Sequence, residues 1–402
     1  MKYRLAILML GLLIQLNCSK VEGKHKNDSS HSFTISYFQS RLTFQGLGIV
    51  PIYNGKTDSP FADLYTYYYK TRSEEFEKLT SELLAVKDSL QLNDWMFFSL
   101  VSSVSNYLYV GTADSNVWNK ELFNWAIMSQ SGYNVHLLTD GAKPYIYFAT
   151  NQLVYNMNYV QLQGQLCVQL RETGKLSQSN GNKSLLQTAL YQNPDGKIFD
   201  FNLNYIPYWL NYPNRLTNIN FEANNLAFSI SLAYNHNWYE LLSNYPRLTW
   251  DTYLRLPNSE PTTQLLSQLE SQIKGMSLEK KIRFLLSFTR TGWNYKSDQE
   301  AMNIDNWLLS PDEMLIAKNS DCEDRSLMFL YLCKKILNVD GILLTYPDHM
   351  TVGIYIPGKY KNQIKSGDKI YTICEPTGPQ DFLEIGEVAP AQRRVLAQIL
   401  GE

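Results

Sequence analysis

Cys322 lies in Asn319-Ser320-Asp321-Cys322-Glu323-Asp324-Arg325, directly before an apolar run over 327–337. This context predicts a helix start. Ser320 is read as the N-cap, with Glu323 three residues later at the capping-box position. Cys322 then falls in the first turn, where unpaired N–H groups and the positive end of the helix dipole favour a thiolate. Two strand-like segments supply partners. His349 stands in Pro347-Asp348-His349-Met350-Thr351-Val352, and Glu375 in Tyr371-Thr372-Ile373-Cys374-Glu375-Pro376-Thr377. A nucleophile, a base and an orienting acid are the groups that thiol acyl transfer needs. Asp348 is an alternative orienting acid, but it is adjacent to His349 in sequence and is expected on the opposite face of its strand.

The elements that must hold these groups are legible on both sides. Leu265, Leu266, Leu269 and Ile273 recur at helical spacing. Ser277-Leu278-Glu279-Lys280 opens a second helix with an apolar stripe of Ile282, Leu285, Leu286 and Phe288, ending near Gly292. After Trp293-Asn294-Tyr295 and a loop to Trp307, Ser310-Pro311-Asp312-Glu313 marks a short helix: an N-cap, a proline at the first position and acids in the first turn. Beyond the Cys322 helix, residues 341–346, 350–356 and 369–374 read as strands, with a hairpin-like loop over 357–368. A helix feeding an antiparallel sheet brings the cysteine at the helix start near the histidine and the acid.

Ser320-Asp321-Cys322-Glu323-Asp324-Arg325, Pro347-Asp348-His349-Met350-Thr351-Val352 and Cys374-Glu375-Pro376-Thr377-Gly378 resemble the three blocks of the transglutaminase-like superfamily. Order and spacing agree, with His349 27 residues after Cys322 and Glu375 26 after that. The resemblance spans roughly residues 260–385. It implies a papain-like core with Cys322 as nucleophile, His349 as general base and acid, and Glu375 as orienter where the family carries aspartate. It also implies an oxyanion site formed by the Cys322 backbone N–H and an upstream side chain, Trp293 or Tyr295. Bacterial members are commonly inferred to be hydrolases. The expectation is therefore a cysteine peptidase or amidohydrolase with a peptide or protein substrate and no cofactor. Transamidation that forms crosslinks, and an inactive binding or scaffold role in the cell envelope, are the alternatives.

The chain has 402 residues, 44% of them hydrophobic, enough for two or three domains. Its net charge of −2 and lack of a basic tract argue against nucleic acid as a partner. Charged residues make up only 18%, and tyrosines number 28, as on an exported, β-containing surface. Met1-Lys2-Tyr3-Arg4 and the apolar stretch over 5–16 predict a signal peptide over 1–17. Its end at Cys18 resembles a bacterial lipoprotein signal, with Gln15 and Asn17 where the pattern has leucine and a small residue. That implies lipidation at Cys18, a membrane contact through the N-terminal lipid, and a place in the cell envelope. Residues 18–32 would be a solvated tether. The five cysteines show no metal-ligand spacing, and Cys167, Cys333 and Cys374 are expected in the core.

The predicted fold class is α+β, with a catalytic domain over 257–402. Leu92-Asn93-Asp94-Trp95 aligns on Leu278-Glu279-Lys280-Lys281, and Gly132-Tyr133-Asn134-Val135 on Asn338-Val339-Asp340-Gly341. This predicts an internal duplication whose first copy, over 33–150, keeps the fold and lacks the chemistry. Asn116 then matches Cys322, and Lys143 matches His349. Strand pairs flanking Gln163-Gly164 and Asn224-Asn225 predict a β-rich, sandwich-like domain over 151–256.

Overall fold

The structure, a computed structural model, describes residues 32–38, 40–45, 73–110, 114–140, 143–155, 157–170, 186–187, 193–210, 212–303, 307–377, 383–388 and 397–400. The predicted signal peptide, the tether and Cys18 lie outside the described residues, apart from Ser32. Helices and antiparallel sheet are mixed along the chain, an α+β organisation. Two compact units divide it. The first draws on residues 1–151, 158–172 and 178–200; the second on 152–157, 173–177 and 201–402.

In the first unit a hairpin, β1 (Ser32–Tyr37) and β2 (Ser40–Gln45), precedes α1 (Ser73–Ser89), α2 (Asp94–Leu108) and α3 (Asp114–Gln130). The sheet follows with β3 (Val135–Thr139), β4 (Pro144–Ala149), β5 (Tyr159–Leu162), β6 (Gln165–Gln169) and β7 (Leu186–Gln187), in the order β5-β6-β4-β3-β7. Asn93 caps α2, and Trp95, Phe97, Phe98 and Val101 bury its apolar face. Asp94 is buried as well, with its carboxylate held by Lys87, Lys197 and Tyr133.

The second unit opens with the hairpin β8 (Arg215–Ala223) and β9 (Leu226–Tyr234). Asn224 and Asn225 turn it at φ 51 and φ 59, as a tight two-residue hairpin requires. Next come α4 (His236–Asn244), α5 (Trp250–Arg255), α6 (Glu260–Gln272), α7 (Leu278–Thr291), β10 (Asn294–Tyr295), α8 (Asp298–Met302), α9 (Pro311–Met314), β11 (Asn319–Ser320) and α10 (Cys322–Leu337). The strands β12 (Gly341–Tyr346), β13 (His349–Ile354), β14 (Gln363–Ser366), β15 (Lys369–Cys374) and β16 (Gln398–Ile399) form a sheet in the order β14-β15-β13-β12-β16. Helix α10 lies on β12 and β13, with Leu327, Phe329, Leu330 and Cys333 fully buried. Gly341 allows this approach: a Cβ there would meet Leu330 Cδ1 at 2.5 Å and the Gly353 carbonyl at 2.8 Å. Phe221 of β8 packs edge-on against Phe284 and Phe288 of α7, which fixes the hairpin to the helix.

The two five-stranded sheets have the same connectivity and the same register. Val135 pairs with Phe148 where Gly341 pairs with Ile354, an offset of 206 on both strands (341 − 135 and 354 − 148). Tyr159 pairs with Val168 where Gln363 pairs with Thr372. Flanking bonds repeat too. Ala149 N–H reaches the Asn134 carbonyl as Tyr355 N–H reaches that of Asp340, and Gln169 N–H that of Asn158 as Ile373 N–H that of Asn362. The helices α2 and α7 correspond at their N-caps, Asn93 and Ser277, an offset of 184 (277 − 93) rather than the 186 of the sequence alignment. Caps define the helix start, whereas the alignment followed leucine and aromatic types.

Residues 151–256 do not stand apart as a third compact unit. Strands β5 to β7 complete the first unit's sheet, and β8 and β9 pack on α6 and α7 of the second. The two hairpins, β5 with β6 and β8 with β9, occur as predicted, but β6 also pairs with β4, a non-local partner that places the first hairpin in the first unit's sheet.

Candidate active site

Cys322 is the first residue of α10, and the cap lies one residue later than predicted. Asp321, not Ser320, is the N-cap. Its Oδ1 accepts from the N–H groups of Glu323 at 3.0 Å and Asp324 at 3.3 Å. Asp324 closes the capping box by accepting the Asp321 N–H at 3.3 Å, and its other oxygen accepts Leu309 N–H at 2.8 Å. Ser320 instead accepts a bond from the Arg325 guanidinium. The thiol is partly exposed, while Cys167, Cys333 and Cys374 are buried, and all four are free. Burial pushes the Cys167 thiol up to about 11 and the Cys374 thiol up to about 12.

His349 starts β13, and Glu375 directly follows β15. The two strands are neighbours, with Val352 paired to Cys374. Thr351 hydroxyl donates to the Cys374 carbonyl at 2.6 Å, and Ser326 of α10 donates to the Met350 carbonyl at 3.1 Å. These two buried bonds tie nucleophile helix, histidine strand and acid strand together. His349 Nε2 meets Glu375 Oε2 at 2.7 Å. Nδ1 is then the nitrogen left for the thiol. Burial alone would lower the imidazole pKa. Hydrogen bonding to Cys322 and to Glu375 outweighs it and pushes the value to about 10. His349 is therefore protonated at neutral pH and places a cation beside the Cys322 sulfur.

Glu375 is buried, and its Oε1 accepts the Thr377 N–H at 2.8 Å. Both carboxylate oxygens are thus occupied, one holding the loop and one the histidine. Asp348 is exposed at the turn between β12 and β13. The structure therefore brings Cys322, His349 and Glu375 together and leaves Asp348 outside.

The two upstream aromatics differ. Trp293 is buried, and its indole N–H donates to the Met314 carbonyl at 2.7 Å. Tyr295 is half-exposed on β10, which pairs in parallel with β11, two residues before the nucleophile. Burial and then the charge of Cys322 push the Tyr295 phenol up to about 12. Its hydroxyl thus stays protonated, a donor within electrostatic reach of the sulfur. The cap leaves the Cys322 N–H unbonded among the described residues.

Acids crowd the helix start. Burial, then Asp321 and Asp298, raise Glu323 to about 7. Burial raises Asp298 to about 6. Two arginines missed in the sequence complete the surroundings. Arg325 and Arg290 are buried and donate to main-chain carbonyls around the site. Arg325 stood in the motif without a role, and no sequence pattern marks Arg290.

In the first unit the matching hairpin position carries Lys143, whose N–H is bonded to Asp140, and Asn116 lies on α3. No helix among the described residues is long and apolar enough to cross a membrane. Comparison with protein-family models, curated proteins and solved structures finds no match.

Proposed function

We propose that the second unit is a thiol acyl-transfer centre of the transglutaminase-like type, working as a hydrolase of peptide or amide bonds. The observation that carries this reading is the 2.7 Å contact between His349 Nε2 and Glu375 Oε2 beside a cysteine at a helix start. Cys322 sulfur attacks the substrate carbonyl. The oxyanion is received by the Cys322 N–H, with the Tyr295 hydroxyl as the second donor. Trp293 is left out of this role because its N–H is already bonded. Imidazolium His349 gives its proton to the departing amine, and a thioester remains. Water then attacks the thioester, passing its proton to His349, and the acid product and the thiolate separate. Glu375 holds the imidazole and its charge throughout.

The repeated sheet register supports the duplication. The first unit is a copy that keeps the frame and, with Asn116 and Lys143 in place of Cys322 and His349, lacks the nucleophile and base. The N-terminal segment supports export and a lipid anchor at Cys18. A Cys18→Ser protein that still partitions into detergent would sink the anchor.

The activity is tested on a complex peptide mixture, with cleaved bonds mapped by mass spectrometry and Cys322→Ala as the control. New termini lost in the control support hydrolysis. Added primary amine appearing in the product would identify transfer to amines instead. No product of either kind would overturn the reading.

A further inference from the structure

We propose that Arg325 and Arg290 form a positioning clamp that holds the Glu375 loop against His349, an inference that rests on the acyl-transfer reading above. Arg325 sits one turn after Cys322 and is 1% exposed. Its Nε donates to Ser320 Oγ at 2.9 Å. Nη1 donates to the carbonyls of Arg290 at 3.1 Å and Thr377 at 3.0 Å, and Nη2 to that of Trp293 at 2.6 Å. Its Cζ lies 5.4 Å from the Tyr295 ring centre. One side chain thus joins the nucleophile's approach, the end of α7, β10 and the acid loop.

Arg290 works from the other side. Its Nε and Nη2 donate to the Glu375 carbonyl at 2.8 and 2.6 Å, and Nη2 also reaches the Leu383 carbonyl at 2.9 Å. The acid loop is therefore gripped at Glu375 by one guanidinium and at Thr377 by the other. With the loop held there, Glu375 Oε1 accepts the Thr377 N–H at 2.8 Å and Oε2 meets His349 Nε2 at 2.7 Å.

A scaffold could achieve burial here more simply. Removing a guanidinium from water is costly, and a carboxylate usually compensates it. Among the described residues neither arginine has a carboxylate within ion-pair distance. Their donors go to carbonyls and one hydroxyl, in a planar fork that lysine cannot reproduce from a single nitrogen. Position rather than charge pairing is what this arrangement secures. Arg325 and Arg290 act through Glu375 and do not touch substrate.

The test is the pH profile of Cys322 alkylation by iodoacetamide on the full chain, read by peptide mass mapping, with thermal melts alongside. Glu375→Gln sets the reference for a histidine that has lost its acid. Arg325→Lys is expected to stay folded and to move the alkylation midpoint up by about one pH unit or more, toward Glu375→Gln. Combining it with Glu375→Gln should add no further shift. If Arg325→Lys melts lower but keeps the wild-type midpoint, the clamp is only scaffold and the proposal is overturned. If Arg325→Lys does not fold, Arg290→Lys is judged by the same midpoint. If neither folds, the arginines serve stability and the proposal is likewise overturned. A wild-type protein in which Cys322 shows no selective alkylation defeats the acyl-transfer reading itself, a distinct outcome.

Discussion

His349 Nε2 and Glu375 Oε2 lie 2.7 Å apart, presented by neighbouring strands that Thr351 and Cys374 lock together. The longer acid therefore reaches its histidine without help from Asp348. Glu375→Gln keeps the shape and removes the charge. It should lower turnover by about 100-fold or more, as loss of the acid that fixes the histidine's tautomer and stabilises its charge does. Glu375→Asp shortens the reach by one methylene and should cost about tenfold, as a misplaced catalytic group does. Single-turnover kinetics on any cleaved peptide checks both.

Two groups raise the His349 pKa, Cys322 and Glu375. The imidazole titration of His349, followed by NMR, should centre near 10 in the wild type. In Cys322→Ala the first supporting hydrogen bond is gone, so the midpoint should fall. The sign for stability follows. A raised folded pKa stabilises fully below the ordinary value of 6.5 and loses that contribution as pH rises through about 10. His349→Ala should therefore lower Tm more at pH 6 than at pH 10.5.

Glu323, the residue after the nucleophile, is raised from 4.5 to about 7 by burial and by neighbouring acids. Its stabilising proton is present below about 4.5 and lost as pH passes through 7. Glu323→Gln should leave Tm unchanged at pH 4. At pH 8 it should raise stability by about 1 kcal/mol, or about 2–4 °C. Melting curves at the two pH values measure this directly.

Asp312 is buried and ties its own helix α9 to α4 and α6. Trp238 Nε1 donates to it at 2.8 Å, Ser259 Oγ at 2.5 Å, and the Thr262 hydroxyl also bonds it. Asp312→Ala leaves those donors unsatisfied and should destabilise by about 3 kcal/mol. A urea titration with an unchanged slope and a lower midpoint is the expected result.

What could be read from the chain follows what is local. Cys322, His349 and Glu375 each sit in a short block beside a helix start or strand, so their elements were legible. The cap was misplaced by one because Ser320 and Asp321 are both capping types, each with an acid three residues on. The strand over 159–162 and its partner were legible, but not that β6 pairs with β4 in the first unit's sheet. That pairing depends on distant contacts, which no periodicity records. The arginine clamp was invisible for a related reason. Its acceptors are main-chain carbonyls, and carbonyls are the same in every residue.

The central claim is that Cys322 is a nucleophile activated by His349, and selective alkylation tests it most directly. The intact protein is treated with iodoacetamide at neutral pH, and every modified cysteine is mapped. Cys322 should react fast, Cys167, Cys333 and Cys374 slowly if at all, and His349→Ala should remove the difference while the protein stays folded. Fast reaction of Cys322 that His349→Ala leaves unchanged would contradict the account, as would a Cys322 no more reactive than the buried Cys333.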